Sequence, residues 1–304
     1  MQSLPAQRPL AAAGSIVAAM ALIGLIDNLV YSLAGMSGIW QFHLVRALMA
    51  LPIIAAVAVL GDRRLWPRRP GPVAARSLIV SVSMVFYFGS LAFLPVAQVA
   101  AGLFTAPIFV LLISVVFLGE RVSWANGLAA LGGFAGIMLV LRPETQAVSL
   151  VTFMPVAAGF FYACGAIVTR RWCGSEGTLS LLAAFFVVMA VWGAGGCAVL
   201  AWLQPEVPEG PAGFLLRGWV SPSQDFLGLT AVQALGAVAG VGLIIRGYLL
   251  ADASFVSVFE YVLLIFAAAW GYVLWGQTLD AVQAGGIVLI IASGVLLART
   301  VRAG

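Results

Sequence analysis

Residues 96–118 read VAQVAAGLFTAPIFVLLISVVFL, an unbroken run without a single charge, closed by Gly119-Glu120-Arg121. Wound as a helix at 1.5 Å per residue, such a run spans about 34 Å, enough to cross the roughly 30 Å hydrocarbon layer of a bilayer. It is continuously apolar and lacks the alternation of a barrel strand, so it reads as a transmembrane helix. Similar runs recur near Ala11–Leu33, Ile39–Leu60, Val73–Leu94, Val122–Leu141, Val151–Trp172, Leu179–Leu203, Phe226–Leu250, Ser254–Gly276 and Ala281–Val301. The 304-residue chain is 63% hydrophobic and only 9% charged, with a mean hydropathy of +1.10, whereas soluble domains carry about a quarter charged residues. The expected class is an all-α integral membrane protein with ten transmembrane helices, which would use roughly 200 residues.

Arg8 precedes the first apolar run, but the small-residue stretch Ala11-Ala12-Ala13-Gly14 lies before the core of that run instead of after it. A retained first helix is expected, not a cleaved leader. Cys164, Cys173 and Cys197 are odd in number and sit in or beside apolar spans, which suggests neither a disulfide framework nor a metal site. Because the chain has no lysine, its positive charge is all arginine. With the N-terminus inside, Arg8, Arg63, Arg64, Arg68, Arg69, Arg76, Arg121, Arg170, Arg171, Arg246, Arg299 and Arg302 fall on the cytoplasmic side, and only Arg142 and Arg217 fall outside. The positive-inside rule therefore puts both termini in the cytoplasm. The net charge of +4 is then a topology signal and an attraction to the lipid bilayer, with no call for nucleic acid.

Phe117-Leu118-Gly119-Glu120 aligns with Leu274-Trp275-Gly276-Gln277, an offset of 276 − 119 = 157 residues. On that offset the chain divides into residues 1–146 and 147–304, five helices each. A tandem unit with an odd helix number must insert in opposite senses, giving two inverted repeats. The charges agree: the arginine-rich connection 61–76 corresponds to 204–225, where Glu206, Glu209 and Asp225 outnumber Arg217.

The stretch from Tyr87 to Val140 holds Pro95-Val96-Ala97-Gln98-Val99-Ala100-Ala101, Thr105-Ala106-Pro107, Leu118-Gly119-Glu120-Arg121 and a Gly-rich helix. It resembles the EamA repeat of the drug/metabolite transporter superfamily. The second copy is degenerate, with Leu264 in place of Pro107 and Gln277 in place of Glu120. The resemblance implies an EamA-type ten-helix exporter of small metabolites in a bacterial-type inner membrane. Amino acids are the foremost substrate class it implies, as in YddG-type amino acid exporters. Glu120, at a cytoplasmic helix turn, is read as structural.

Polar groups inside a membrane are costly unless they face other helices or a wet cavity, so they are the first pathway candidates. They are Asp27 and Asn28 in the first span, His43 and Arg46 in the second and Glu260 in the ninth, with Arg246 near the end of the eighth. Asp27 and Arg46 lie at similar depths, about 10 Å below the external surface, and are expected to approach each other, as are Arg246 and Glu260. Each pair fits a packing ion pair and a transport role equally, and a carboxylate there is placed to couple protons to transport. Helical spacing adds stripes: Ser83, Tyr87 and Ser90; Gln98, Gly102 and Thr105; Tyr162, Ala166 and Thr169; Ser257, Glu260 and Tyr261. Such stripes suit a solute cavity or close helix packing. The candidate substrate-binding set is Asp27, Asn28, His43, Arg46, Ser83, Tyr87, Gln98, Thr105, Tyr162, Ser257, Glu260 and Tyr261.

Pro107 removes a backbone donor in mid-span, so a hinge is expected in the fourth span and, with Leu264 at the matching position, an unbroken ninth. The Pro-rich segment 204–225 is expected to lie on the interface or cap the cavity mouth. The usual marks of a membrane enzyme are missing: the single His43 joins no metal-ligand cluster, and no nucleotide loop or acidic pair is visible, so no cofactor is expected. A nucleotide-sugar or drug carrier of the same fold is the nearest rival, but Arg46 is the only deep arginine available to phosphates. A polytopic membrane enzyme is the remote alternative.

Overall fold

The computed structural model describes residues 8–119, 124–141, 150–250 and 259–301; Glu120, Arg121 and Ser257 lie outside them. Regular structure among the described residues is helical throughout, without strands. The helices are α1 (Pro9–Asn28), α2 (Val30–Met36), α3 (Ile39–Leu60), α4 (Pro70–Ser90), α5 (Val96–Leu103) and α6 (Ala106–Leu118). They continue with α7 (Trp124–Leu141), α8 (Leu150–Trp172), α9 (Thr178–Leu203), α10 (Gln224–Leu250), α11 (Val262–Trp275) and α12 (Ala281–Val301). A short 3-10 turn occupies Gly210–Leu215. Prolines start α1 and α4, where the first N–H groups have no intrahelical partner to lose.

Among the described residues seven helical runs are long and apolar enough to cross a membrane, and three shorter apolar helices, Gly127–Leu141, Val262–Trp275 and Ala281–Leu296, accompany them. Polarity is arranged opposite to a soluble protein. Leu48, Leu131, Phe134, Val191 and Val288 are exposed, whereas Asp27, Asn28, His43 and Arg46 are buried. An apolar exterior around a polar interior suits lipid as the solvent, and the chain is a multi-pass membrane protein.

The dominant helix pairs are α1 with α10, α3 with α9, α4 with α8 and α7 with α12; α11 packs on α1 and α5, and α5 and α6 pack on α8. Small residues set the closest of these approaches. A Cβ at Gly286 of α12 would lie 2.7 Å from the carbonyl of Gly136 on α7, and one at Gly136 would lie 2.8 Å from the carbonyl of Gly286. The two backbones cross where neither has a side chain to hold them apart.

Three breaks interrupt runs that hydropathy reads as continuous. The first span breaks at Leu29, between α1 and α2. There the Asn28 amide donates to Gly24 O at 2.8 Å and to Ala267 O at 3.1 Å, while Trp275 Nε1 donates to Asn28 O at 3.1 Å. The fourth span breaks at Phe104 and Thr105, between α5 and α6. Pro107 is in the first turn of α6, where its missing donor is harmless. Thr105 Oγ1 donates to Gly102 O at 2.7 Å across the break. The ninth span corrects the sequence expectation. Residues 259 and 260 are helical, the chain turns at Tyr261, and α11 starts at Val262, with Leu264 N bonded to Tyr261 O at 3.1 Å. The turn occurs without a proline, at a residue whose ring packs on Phe104 at 4.9 Å between centroids.

Candidate functional site

A cluster of buried polar groups joins α1, α3, α4 and α10. Asp27 is the penultimate residue of α1, two residues before the break, and its Oδ2 accepts a 2.7 Å hydrogen bond from the Tyr87 hydroxyl of α4. Gln233 of α10 donates to Ile26 O at 2.5 Å and lies within reach of the same carboxylate. Arg46 of α3 acts on Asp27 through space, but its guanidinium is set over aromatic rings, 4.5 Å from the Phe88 centroid and 5.5 Å from those of Phe42 and Phe186. The two charges thus face one interior without the direct pairing expected from depth alone. Three ring faces hold the cation, a favourable quadrupole interaction that is stronger when desolvated.

This cluster has hydrogen-bonding capacity to spare. Arg46 Nη1, His43 Nε2, Gln233 Oε1 and Thr230 Oγ1 are buried without protein partners. A buried group left unsatisfied costs about 1–3 kcal/mol, so an interior with several donors and acceptors open is arranged to receive polar atoms from a guest molecule or water.

A clasped loop roofs this end of the bundle. Phe214, in the 3-10 turn, is fully buried and packs 6.4 Å from Phe42, itself one of the rings under Arg46. Arg217 Nη1 donates to Ala34 O at 2.7 Å and Ser37 O at 2.9 Å, and its Nη2 donates to Gly210 O at 2.6 Å. Gln41 and Val220 exchange a reciprocal pair, Gln41 Nε2 to Val220 O at 2.6 Å and Val220 N to Gln41 Oε1 at 3.0 Å. Segment 204–225 thus packs on α2 and α3 through Phe214, Arg217 and Val220, with Trp219 54% exposed.

Tyr162 of α8 is 44% exposed while standing within electrostatic reach of Glu260 and Arg76. Arg76 Nε donates to Thr169 Oγ1 at 3.1 Å, tying α4 to α8. Glu260 and Tyr261 are half-buried, and Arg246 is exposed on α10.

The residues singled out in the sequence therefore separate. Asp27, Arg46, His43 and Tyr87 come together. Asn28 is buried at the α1 break, its amide nitrogen spent on Gly24 and Ala267 while its Oδ1 has no protein partner. Ser83 donates to Ala158 O at 2.7 Å and Ser90 to its own helix, so both serve packing. Gln98 is half-buried, Thr105 is buried at the α5–α6 break, and Ser257 lies outside the described residues. Sequence reasoning passed over Gln233 and Thr230, which share a face of α10 at i, i+3 spacing; a search for polar as well as ionisable residues in apolar spans finds both. Among the described residues no group of three His, Cys, Asp or Glu comes together.

Residues 11–142 match the model of the EamA-like transporter family. The chain is 26% identical over 226 residues to the pseudopaline exporter CntI of Pseudomonas aeruginosa, covering 74% of each chain. It is 25% identical over 261 residues to the riboflavin transporter of Rhizobium johnstonii, covering 86% of this chain and 79% of that one. It is 21% identical over 248 residues to the S-adenosylmethionine uptake transporter of Rickettsia bellii, covering 82% and 79%. A protein of known crystal structure superposes with a TM-score of 0.64 at 17% identity, over 95% of this chain and 97% of its own, a likeness of fold. The relatives' names point to transport of small molecules and not to an enzyme. The match to the EamA-like transporter family is thus confined to residues 11–142, and the relatives of 21–26% identity, all named as transporters of small molecules, extend the similarity over 74–86% of the chain.

Proposed function

We propose that the chain exports a small polar metabolite, with amino acids the first class to test, by alternating access between two inverted five-helix units, residues 1–146 and 147–304, in a bacterial-type cytoplasmic membrane with both termini inside. The solute site is the cluster of Asp27, His43, Arg46, Tyr87 and Gln233, with Tyr162, Glu260 and Tyr261 along the route from the cytoplasm. The observation that carries this reading is the set of unpartnered donors and acceptors at Arg46, His43, Gln233 and Thr230, enclosed beside a buried carboxylate. Arg46 offers a cation and Asp27 an anion, a complement to the carboxylate and ammonium of a zwitterion.

The repeat draws support from three places. The offset of 157 residues relates Gly119 to Gly276, and both have φ of +66°, the left-handed conformation in which glycine ends a helix. The same offset relates the breaks, 261 − 157 = 104, and the residues at them, Phe104 and Tyr261, stack on each other. Helix pairing follows suit: exchanging the halves turns the α1–α10 pair into α8–α4 and returns α3–α9 and α7–α12 to themselves. The clasped roof and the 44% exposure of Tyr162 support reading this arrangement as inward-facing. The relatives include both an exporter and an uptake transporter, so direction needs its own measurement.

Counterflow of labelled amino acids in proteoliposomes, with and without a pH gradient, tests the reading. Exchange is expected and should fall at least tenfold with Arg46→Gln. Exchange unaffected by Arg46→Gln overturns the site; no flux of any small polar solute overturns the function. If protons are coupled at Asp27, Asp27→Asn should weaken solute binding and abolish the gradient dependence of the counterflow that remains; a gradient dependence kept in full overturns the coupling.

A further inference from the structure

The arginines that set the topology do not all lie scattered on the surface. Between the α3–α4 connection and the α8–α9 connection lies a cleft of about 600 Å³ lined by Arg63, Arg64, Arg68 and Trp66 on one wall and by Ser175 and Thr178 on the other. It is separated along the bundle from the buried cluster, at the far ends of α3 and α4. Its two walls are tied by Glu176, whose carboxylate accepts from Arg68 N at 2.9 Å and Arg69 N at 2.7 Å, while Arg69 Nη1 reaches Trp172 O at 3.5 Å.

Charge and polarity decide what the cleft takes. Glu176 turns its oxygens to backbone donors, leaving Asp62 as the one other carboxylate in the lining against three arginines. Among the described residues the guanidinium groups of Arg63, Arg64 and Arg68 have no hydrogen-bonded partner, so their donors remain open. Hydroxyls at Ser175 and Thr178 add neutral donors across the gap. Three guanidiniums opposite two hydroxyls suit a phosphate group. The surroundings narrow the source. Val59 and Leu60, at the adjoining end of α3, are 78% and 87% exposed, and Trp66 is 73% exposed. Apolar residues running into a tryptophan and then into arginines reproduce the sequence of environments from acyl chain through interface to headgroup.

We propose that this cleft is a binding site for the headgroup of an anionic phospholipid of the cytoplasmic leaflet. The acyl chains lie along Val59 and Leu60, and the phosphate is held by Arg63, Arg64 and Arg68. A lipid seated there touches the connections of both five-helix units and holds them together beside the Glu176 tie. The assignment to the cytoplasmic leaflet rests on the orientation proposed above.

The test uses the full chain in nanodiscs and needs no transport, so its failure is separate from that of the transport reading. Brominated phosphatidylglycerol and brominated phosphatidylcholine are titrated, and the Trp66 contribution is isolated by difference from Trp66→Phe. Phosphatidylglycerol is expected to quench Trp66 at far lower mole fraction than phosphatidylcholine. Each arginine near an anionic surface contributes about fivefold in affinity. The triple substitution Arg63→Gln, Arg64→Gln, Arg68→Gln should therefore weaken the preference by about 100-fold, and triple replacement by lysine should retain most of it. Equal quenching by the two lipids in the unaltered protein overturns the proposal, whether or not the variants fold, as does an unchanged preference in the glutamine variant. Inorganic phosphate at 10 mM is expected to leave the preference in place; abolition by phosphate alone would assign the cleft to a soluble anion and overturn the lipid.

Discussion

Truncating Phe214 to alanine should open the roof over the buried cluster. The side chain is fully buried, its ring 6.4 Å from Phe42. Because it belongs to a connecting loop, leaving its socket takes it toward water and not toward lipid, so the full transfer and cavity cost applies. Phe→Ala in a packed interior costs about 3–5 kcal/mol. At 1.4 kcal/mol per factor of ten, the lower figure raises the ratio of open to closed roof by about 100-fold. The remaining hold comes from Arg217 and from the Gln41–Val220 pair, which Phe214→Ala leaves intact, so the loop loosens without detaching. A reporter cysteine at Ala34, buried beneath the loop, reads this directly. In a background with Cys164, Cys173 and Cys197 replaced by alanine, the labelling rate of Ala34→Cys by a membrane-impermeant maleimide added from outside is compared with and without Phe214→Ala. Acceleration by one to two orders of magnitude is expected. Equal rates would mean that Phe214 does not gate this entrance, and labelling only from the cytoplasmic side would refute the orientation as well.

Tyr87→Phe deletes the 2.7 Å bond to the Asp27 carboxylate; bonds to charged groups are worth about 1.5–3 kcal/mol, so solute affinity in counterflow should drop by about tenfold or more, and unchanged affinity would separate Tyr87 from the solute site. Gly286→Ala drives a methyl to 2.7 Å from Gly136 O and should lower the thermal midpoint by several degrees at an overpacking cost of about 1–3 kcal/mol. The neighbouring Gly285→Ala meets nothing within 4 Å and should be neutral or slightly stabilising, so equal effects of the two would refute the α7–α12 crossing. Arg217→Lys keeps the charge but cannot reproduce three bonds diverging from one planar fork; it should raise labelling of Ala34→Cys nearly as much as Arg217→Ala does, and full protection by lysine would show that charge alone suffices.

Helix placement was largely legible because it depends on solvation, a property summed over twenty residues: nine of the expected spans start or end within a few residues of helices present in the fold, and the tenth run, Ser254–Gly276, is entered only at residue 259 among those described. The breaks were not legible. Leu29 and Tyr261 sit in stretches whose local preference is for continuing the helix, and the groups met at the breaks are distant in sequence, Trp275 and Ala267 for Asn28 and the Phe104 ring for Tyr261. A proline drew attention to the fourth span, yet the turn falls one residue pair earlier. Within the site, Asp27, His43, Arg46 and Tyr87 stood out because ionisable and phenolic groups are conspicuous among aliphatics. Gln233 and Thr230 carry no charge, and Arg46's choice of aromatic faces over Asp27 depends on rings from three separate helices that no spacing rule brings together.

Apart from the Phe214 ring, the roof loop is fastened through main-chain atoms: Arg217 grips the carbonyls of Ala34, Ser37 and Gly210, and Gln41 grips both the N–H and the carbonyl of Val220. A carbonyl is present whatever side chain its residue bears. Among the gripped positions Val220, 39% exposed, is thus free to drift in composition so long as the chain keeps its path, whereas fully buried Ala34 and Ser37, Gly210 with its φ of +63°, and the two gripping side chains are not. A library randomised along 204–223 should therefore tolerate changes at Gly210's neighbours and at Val220 while returning Arg217 repeatedly. The entrance is a place where new surface chemistry can be installed without reworking the machinery beneath it.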